Sequence, residues 1–166
     1  MKIENLIKKI LFFLFSSFVI STTGYYLLWL IMPKHYVFGV WYRMFLYHHE
    51  NPIQYIMIPC FIYGIIASVF SEKFYKKELK EQIFSSLIII ILTILLSSIL
   101  GGMLWNFHDM KAGYFPENWV LKLLTSGTSM GISTGWLIIL LSVPYNILGI
   151  IVSFFLNKKG AELFRD

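Results

Sequence analysis

At 166 residues, 57% of them hydrophobic and 14% charged, with a mean hydropathy of +0.69, the chain has more apolar surface than a soluble domain of its size can bury. Its net charge of +5 is gathered around the ends of apolar runs and forms no stripe, which speaks for anchoring at a membrane surface and against nucleic acid. A single cysteine, Cys60, excludes an internal disulfide and suits a small buried hydrophobe inside an apolar run.

A crossing of the bilayer needs about 20 mostly apolar residues, and four stretches meet that demand. The first, residues 10–32, has no charge, follows Lys8 and Lys9 and stops at Pro33. It is longer than a signal-peptide core and no small-x-small cleavage site follows, so an uncleaved first span is expected. The second, residues 53–70, starts behind Asn51 as a cap and Pro52 at the first helical position, and Pro59 should kink it. A basic segment follows in which Glu72/Lys76 and Lys77/Glu81 stand four apart, predicting an extension of the flanking helices. The third span, residues 84–105, is the most apolar. The fourth, residues 129–156, is longer than a straight crossing requires and should bend at Pro144.

Lysine and arginine set the orientation. Lys2, Lys8 and Lys9, then Lys73, Lys76, Lys77 and Lys80, then Lys158, Lys159 and Arg165 fall on one side, against Lys34, Arg43, Lys111 and Lys122 on the other. The positive-inside rule puts both termini in the cytoplasm. The expected architecture is an all-α membrane protein, a four-transmembrane-helix bundle with N-in/C-in topology and short interfacial helices in the two outer loops. All of residues 1–166 belong to one polytopic domain.

Small residues recur every fourth position at the outer ends of two spans. Thr93, Ser97 and Gly101 form one row, with Ser98 and Gly102 beside it; Gly127, Gly131 and Gly135 form the other. Such rows let helix backbones approach closely in lipid, so spans three and four should pack tightest there. Pairing of two copies through one row is the lesser alternative.

The chemically detailed part of the chain lies outside. Residues 101–119, GGMLWNFHDMKAGYFPENW, read as a polar loop, and the first outer loop ends in HHENP. Val37, Val40, Trp41, Met44, Phe45 and His48 share one helical face, predicting a helix lying at headgroup depth. Pro116 and Glu117 mark a second short helix with Trp119, Val120, Leu123 and Leu124 on its buried side. His35, His48, His49 and His108 all fall on this outer side, with Glu50, Asp109 and Glu117.

Three readings of that cluster follow. The first is an interfacial belt, in which Trp29, Trp41, Trp105, Trp119 and Trp136 sit near the outer boundary and the histidines are its polar members. The second is a divalent-metal site, zinc for example, drawn from His48, His49, Glu50, His108 and Asp109. Adjacent histidines on a helix point about 100° apart, and no H-E-x-x-H or C-x-x-C spacing is present. The third is acid–base catalysis by His108 polarised by Asp109, for which no nucleophile motif exists; Ser126, Thr128 and Ser129 are better caps than nucleophiles. No acidic or basic residue lies in the middle of a span, which argues against an ion-coupled transporter, and no glycine-rich phosphate loop is present. The sequence therefore points to a small non-catalytic multi-pass protein needing no cofactor. Its partners are the lipid bilayer and either a membrane protein or a second copy. The alternative is an outward-facing metal-binding or hydrolytic site.

Overall fold

A computed structural model describes residues 3–31, 52–113, 118–141 and 143–164, with backbone alone at 28, 29, 136–141 and 143–145. The described residues are helical apart from short turns. Helix α1 covers Ile3–Ile31 and begins well before the apolar run, helped by the Glu4–Lys8 ion pair at 2.7 Å one turn apart. Helix α2 covers Pro52–Phe70, opening on the proline whose missing N–H is harmless at a first turn, with Pro59 inside it. The first outer loop, with its expected helix over 37–48 and the residues His48, His49 and Glu50, lies outside the described residues.

The basic connector departs from expectation. Ser71–Lys76 is a 3₁₀ helix, at 3.0 residues per turn, so Glu72 and Lys76 do not share a face. Glu72 instead meets Lys9 of α1 at 3.6 Å, and Lys77 Nζ donates to Ser85 Oγ at 2.6 Å. Gln82 Nε2 donates back to the carbonyls of Phe74 and Lys77, closing the 3₁₀ segment onto the start of α3.

Helix α3 covers Leu79–Lys111, and here the expected loop is corrected: residues 101–111, His108 and Asp109 included, are the last turns of this helix. Nothing in GGMLWNFHDMK forbids a helix, because neither glycines nor a His-Asp pair break one without a following proline; the chain turns only at Gly113, with φ of 89°. After Asn118, itself left-handed at φ 54°, come α4 (Trp119–Lys122), a π turn (Leu123–Gly127), α5 (Thr128–Leu141) and α6 (Val143–Leu163). The expected fourth span is described as helix over Thr128–Leu141 and Val143–Leu163, with Ser142 outside the described residues. Trp119, Val120 and Leu124, expected on a buried face, are exposed. Phe115, Pro116 and Glu117 fall outside the described residues.

Among the described residues, three helical stretches are long and apolar enough to cross a membrane: Ile3–Leu27, Pro52–Lys76 and Leu79–Lys111. α3 packs against α2, α5 and α6, and α1 against α2 and α6. At the α1–α2 crossing a Cβ on Gly64 would stand 3.2 Å from both Ile10 O and Leu14 Cβ, a tight fit that glycine relieves. Phe13, Tyr63, Ala67 and Ile89 form one buried cluster, and Tyr25, Ile56 and Cys60 another.

The polarity of this arrangement runs opposite to that of a soluble protein. Phe15, Val19, Phe84 and Phe155 are each more than 60% exposed, while Ser68, Ser86, Ser153 and Asn157 have essentially no exposure. In water such a surface would aggregate; in lipid it meets its equal, and the polar groups go inside where partners exist. The described residues are helical, with three helices suited to crossing a membrane.

Candidate functional site

The tightest place in the molecule is the seam between α3 and α5. A Cβ on Gly102 would collide with Gly127 O and stand 2.7 Å from Gly131 N; one on Gly131 would collide with Ser98 O and stand 2.6 Å from Ile99 Cα. A Cβ on Gly127 would lie 2.9 Å from Met103 Cα, and one on Gly135 would lie 2.5 Å from Ser98 Oγ. Backbone therefore lies on backbone from Gly127 to Gly131, and Gly135 meets the Ser98 side chain. On α3 the touching row is Ser98–Gly102, and the expectation for Gly101 is corrected: nothing lies within 4 Å of a Cβ there. One residue is a rotation of about 100°, enough to carry Gly101 off the seam. Thr93 and Ser97 are buried on other sides of α3, their hydroxyls donating to Ile89 O at 2.7 Å and Ile94 O at 3.2 Å.

Just beyond the seam, Asn106 is buried and its Nδ2 donates to Lys122 O at 3.3 Å. That carbonyl stands at the start of the π turn, so the bond ties α3 to the segment that leads into α5. On the far side of α3, His108 Nε2 lies 3.2 Å from Gln54 Oε1 at the start of α2. The contact joins the last turns of α3 to the first turn of α2. The imidazole also stacks on Tyr55, with ring centroids 6.0 Å apart and planes 29° apart. One turn on, Lys111 Nζ sits over the Phe107 ring at 4.6 Å, a cation–π contact.

Asp109 follows His108 on the same helix and so points about 100° away. It forms no ion pair among the described residues. The two are neighbours in sequence and not a dyad in space. Among the described residues no three His, Cys, Asp or Glu side chains converge as metal ligands would. His48, His49 and Glu50 are not described, and that part of the expected set is untouched by this geometry.

A second polar centre lies within the helices. Asn157 Nδ2 donates to Ser153 O at 2.7 Å and Ser153 Oγ at 3.1 Å on α6, and reaches the Tyr63 hydroxyl of α2 at 3.4 Å; Tyr63 and Ser153 hydroxyls are themselves 3.4 Å apart. Asn157 Oδ1 is buried without a partner. The Cys60 thiol meets the hydroxyls of Ser17 and Ser21 across the α1–α2 contact.

No protein-family model matches the chain, and neither a curated protein nor a solved structure is similar to it. The geometry stands by itself.

Sequence reasoning singled out His108, Asp109 and the glycine rows. It passed over Gln54, Tyr55, Asn106, Tyr63, Ser153 and Asn157, which carry most of the polar cross-links between helices. A signal was present for some: Ser153 and Asn157 stand four apart on one face of an apolar run, where a polar pair must find a partner.

Proposed function

We propose that the chain is a four-span protein with both termini in the cytoplasm, α5 and α6 together making the fourth crossing, and that it does no chemistry of its own. It acts as a regulatory, immunity or accessory subunit through another membrane protein or a second copy. The observation that carries this reading is how the described polar side chains are used. His108, Asn106, Tyr63, Ser153 and Asn157 bond between helices or within one, as parts of a scaffold do. The lipid-facing surface of α1, with Phe15 and Val19 exposed, is free for lipid or a partner helix. Cross-linking in intact membranes, followed by purification in a mild detergent, should recover a stable second membrane protein or a dimer. Recovery of monomer alone would remove this reading.

One observation favours the alternative of an outward-facing metal or hydrolytic site. Gln54, which holds His108, lies four residues after Glu50 in the chain, so the stem of the HHENP segment starts beside the end of α3. Stoichiometric zinc or iron in the purified protein, lost on replacing His108 and His49 together, would establish that site.

A further inference from the structure

The connector between α2 and α3 is short and held down. Ser71–Lys76 follows Phe70 directly, and α3 begins at Leu79. Phe74 has no exposure, and its ring meets that of Phe154 on α6 at 6.0 Å. Gln82 Nε2, from the first turn of α3, donates to the carbonyls of Phe74 and Lys77. The segment is therefore fixed against the helix ends and does not stand away from them.

Its 3₁₀ form redistributes the charges. In an α-helix, Glu72 would neutralise Lys76, and Glu81 would neutralise Lys77, at four-residue spacing. Here Glu72 turns to Lys9 at 3.6 Å, while Lys77 bonds Ser85 at 2.6 Å and lies 6.0 Å from the centre of the Phe70 ring. At about three residues per turn, the buried Ser71 and Phe74 share one edge with Lys77, and Lys73 and Lys76 share another. These two lysines are exposed and stand about 6 Å apart along the axis, at about 2.0 Å per residue. Neither forms an ion pair among the described residues, although Glu78 and Glu81 are exposed nearby in the chain. Two ammonium groups side by side repel, and an anion shared between them relieves that repulsion.

The surroundings choose the source of the anion. Phe61, Ile65 and Val69 form an exposed row on α2, one turn apart, that ends four residues before Lys73. On the α3 side, Leu79, Ile83 and Phe84 are exposed as well. A nucleic acid or an acidic protein resting on the lysines would leave these apolar side chains in water, whereas a bilayer covers them. The lysine edge stands where hydrocarbon-facing side chains end, which is the depth of lipid phosphates.

We propose that Lys73 and Lys76 form a binding edge for the phosphate of an anionic phospholipid in the leaflet at this end of the helices, with an acyl chain along Phe61, Ile65 and Val69. The site is independent of the partner-binding reading: it requires only that the helices lie in a bilayer and that the connector keep its 3₁₀ form.

Native mass spectrometry of the full chain in a neutral detergent tests this, by titration with palmitoyl-oleoyl phosphatidylglycerol or phosphatidylcholine. Phosphatidylglycerol should bind roughly tenfold more tightly. In Lys73→Gln/Lys76→Gln the two lipids should bind alike. Lys80→Gln/Lys158→Gln removes the same charge from two other exposed lysines at this end, which also lack ion pairs among the described residues. That variant should keep most of the preference. All four positions are on the surface, and unfolding in the same detergent checks that each variant is folded. Equal loss in both double variants would mean diffuse attraction to basic residues and would overturn the site. So would equal binding of the two lipids by the unaltered chain, or a preference that survives Lys73→Gln/Lys76→Gln.

Discussion

His108 hydrogen-bonds Gln54 through Nε2 and stacks its ring face on Tyr55, which ties the C-terminal end of α3 to the start of α2. Interhelical hydrogen bonds within membranes average only about 0.6 kcal/mol, because the separated helices find other partners in lipid. His108→Ala should therefore destabilise by about 1 kcal/mol, the bond plus the lost stacking, and Gln54→Ala by less. Thermal unfolding in detergent measures both, and a double variant that costs no more than His108→Ala alone would confirm that the two share one interaction. Asp109→Asn should change neither, since Asp109 does not serve His108. In the sequence, a histidine beside an aspartate invites a catalytic reading; the helix turns them apart. What sequence could not supply is the partner. Gln54 is a lone polar residue in an apolar run, and only the α2–α3 crossing says which side chain it faces.

At the scale of elements, the α3–α5 seam is governed by backbone overlap, and its magnitudes exceed those of the polar links. Adding a methyl group to Gly131 sets it against Ser98 O and Ile99 Cα, neither of which is a flexible side-chain tip. Overpacking of this kind costs about 1–3 kcal/mol. Gly101, with open space around its added Cβ, should gain roughly 0.5–1 kcal/mol on becoming alanine, the usual helical preference. Opposite signs for two glycines thirty residues apart, read by unfolding in the same detergent, are the expected outcome; destabilisation by both would refute the seam. The existence of a small-residue interface was legible from the spacing of Gly127, Gly131 and Gly135. Its register on α3 was not, because two rows one residue apart fit the sequence pattern equally well. The 3₁₀ form of Ser71–Lys76 was equally hidden: its i,i+4 charge pairs suit an α-helix, but the tertiary contact of Glu72 with Lys9 prevails.

For the whole molecule, the sequence pointed to the membrane class through composition alone, and three of its apolar runs overlap three helices long and apolar enough to cross. The limits of those helices were less visible. α1 and α3 run on through charged ends where no breaker stands. Sidedness follows from basic residues and is open to direct test in a Cys60→Ser background. With N-in/C-in topology, Ala112→Cys should react with an impermeant maleimide on intact cells, and Lys76→Cys only after lysis; the reverse pattern would invert the molecule. The π turn at Leu123–Gly127 bears on how such a molecule can vary. It holds one residue more than an α turn needs, a one-residue insertion absorbed within a helix. Everything above it, Trp119 and Val120 included, is rotated relative to the glycine row below. The face that carries Trp119 and Val120 is thus set apart in angle from the glycine seam, so that a change on one need not turn the other.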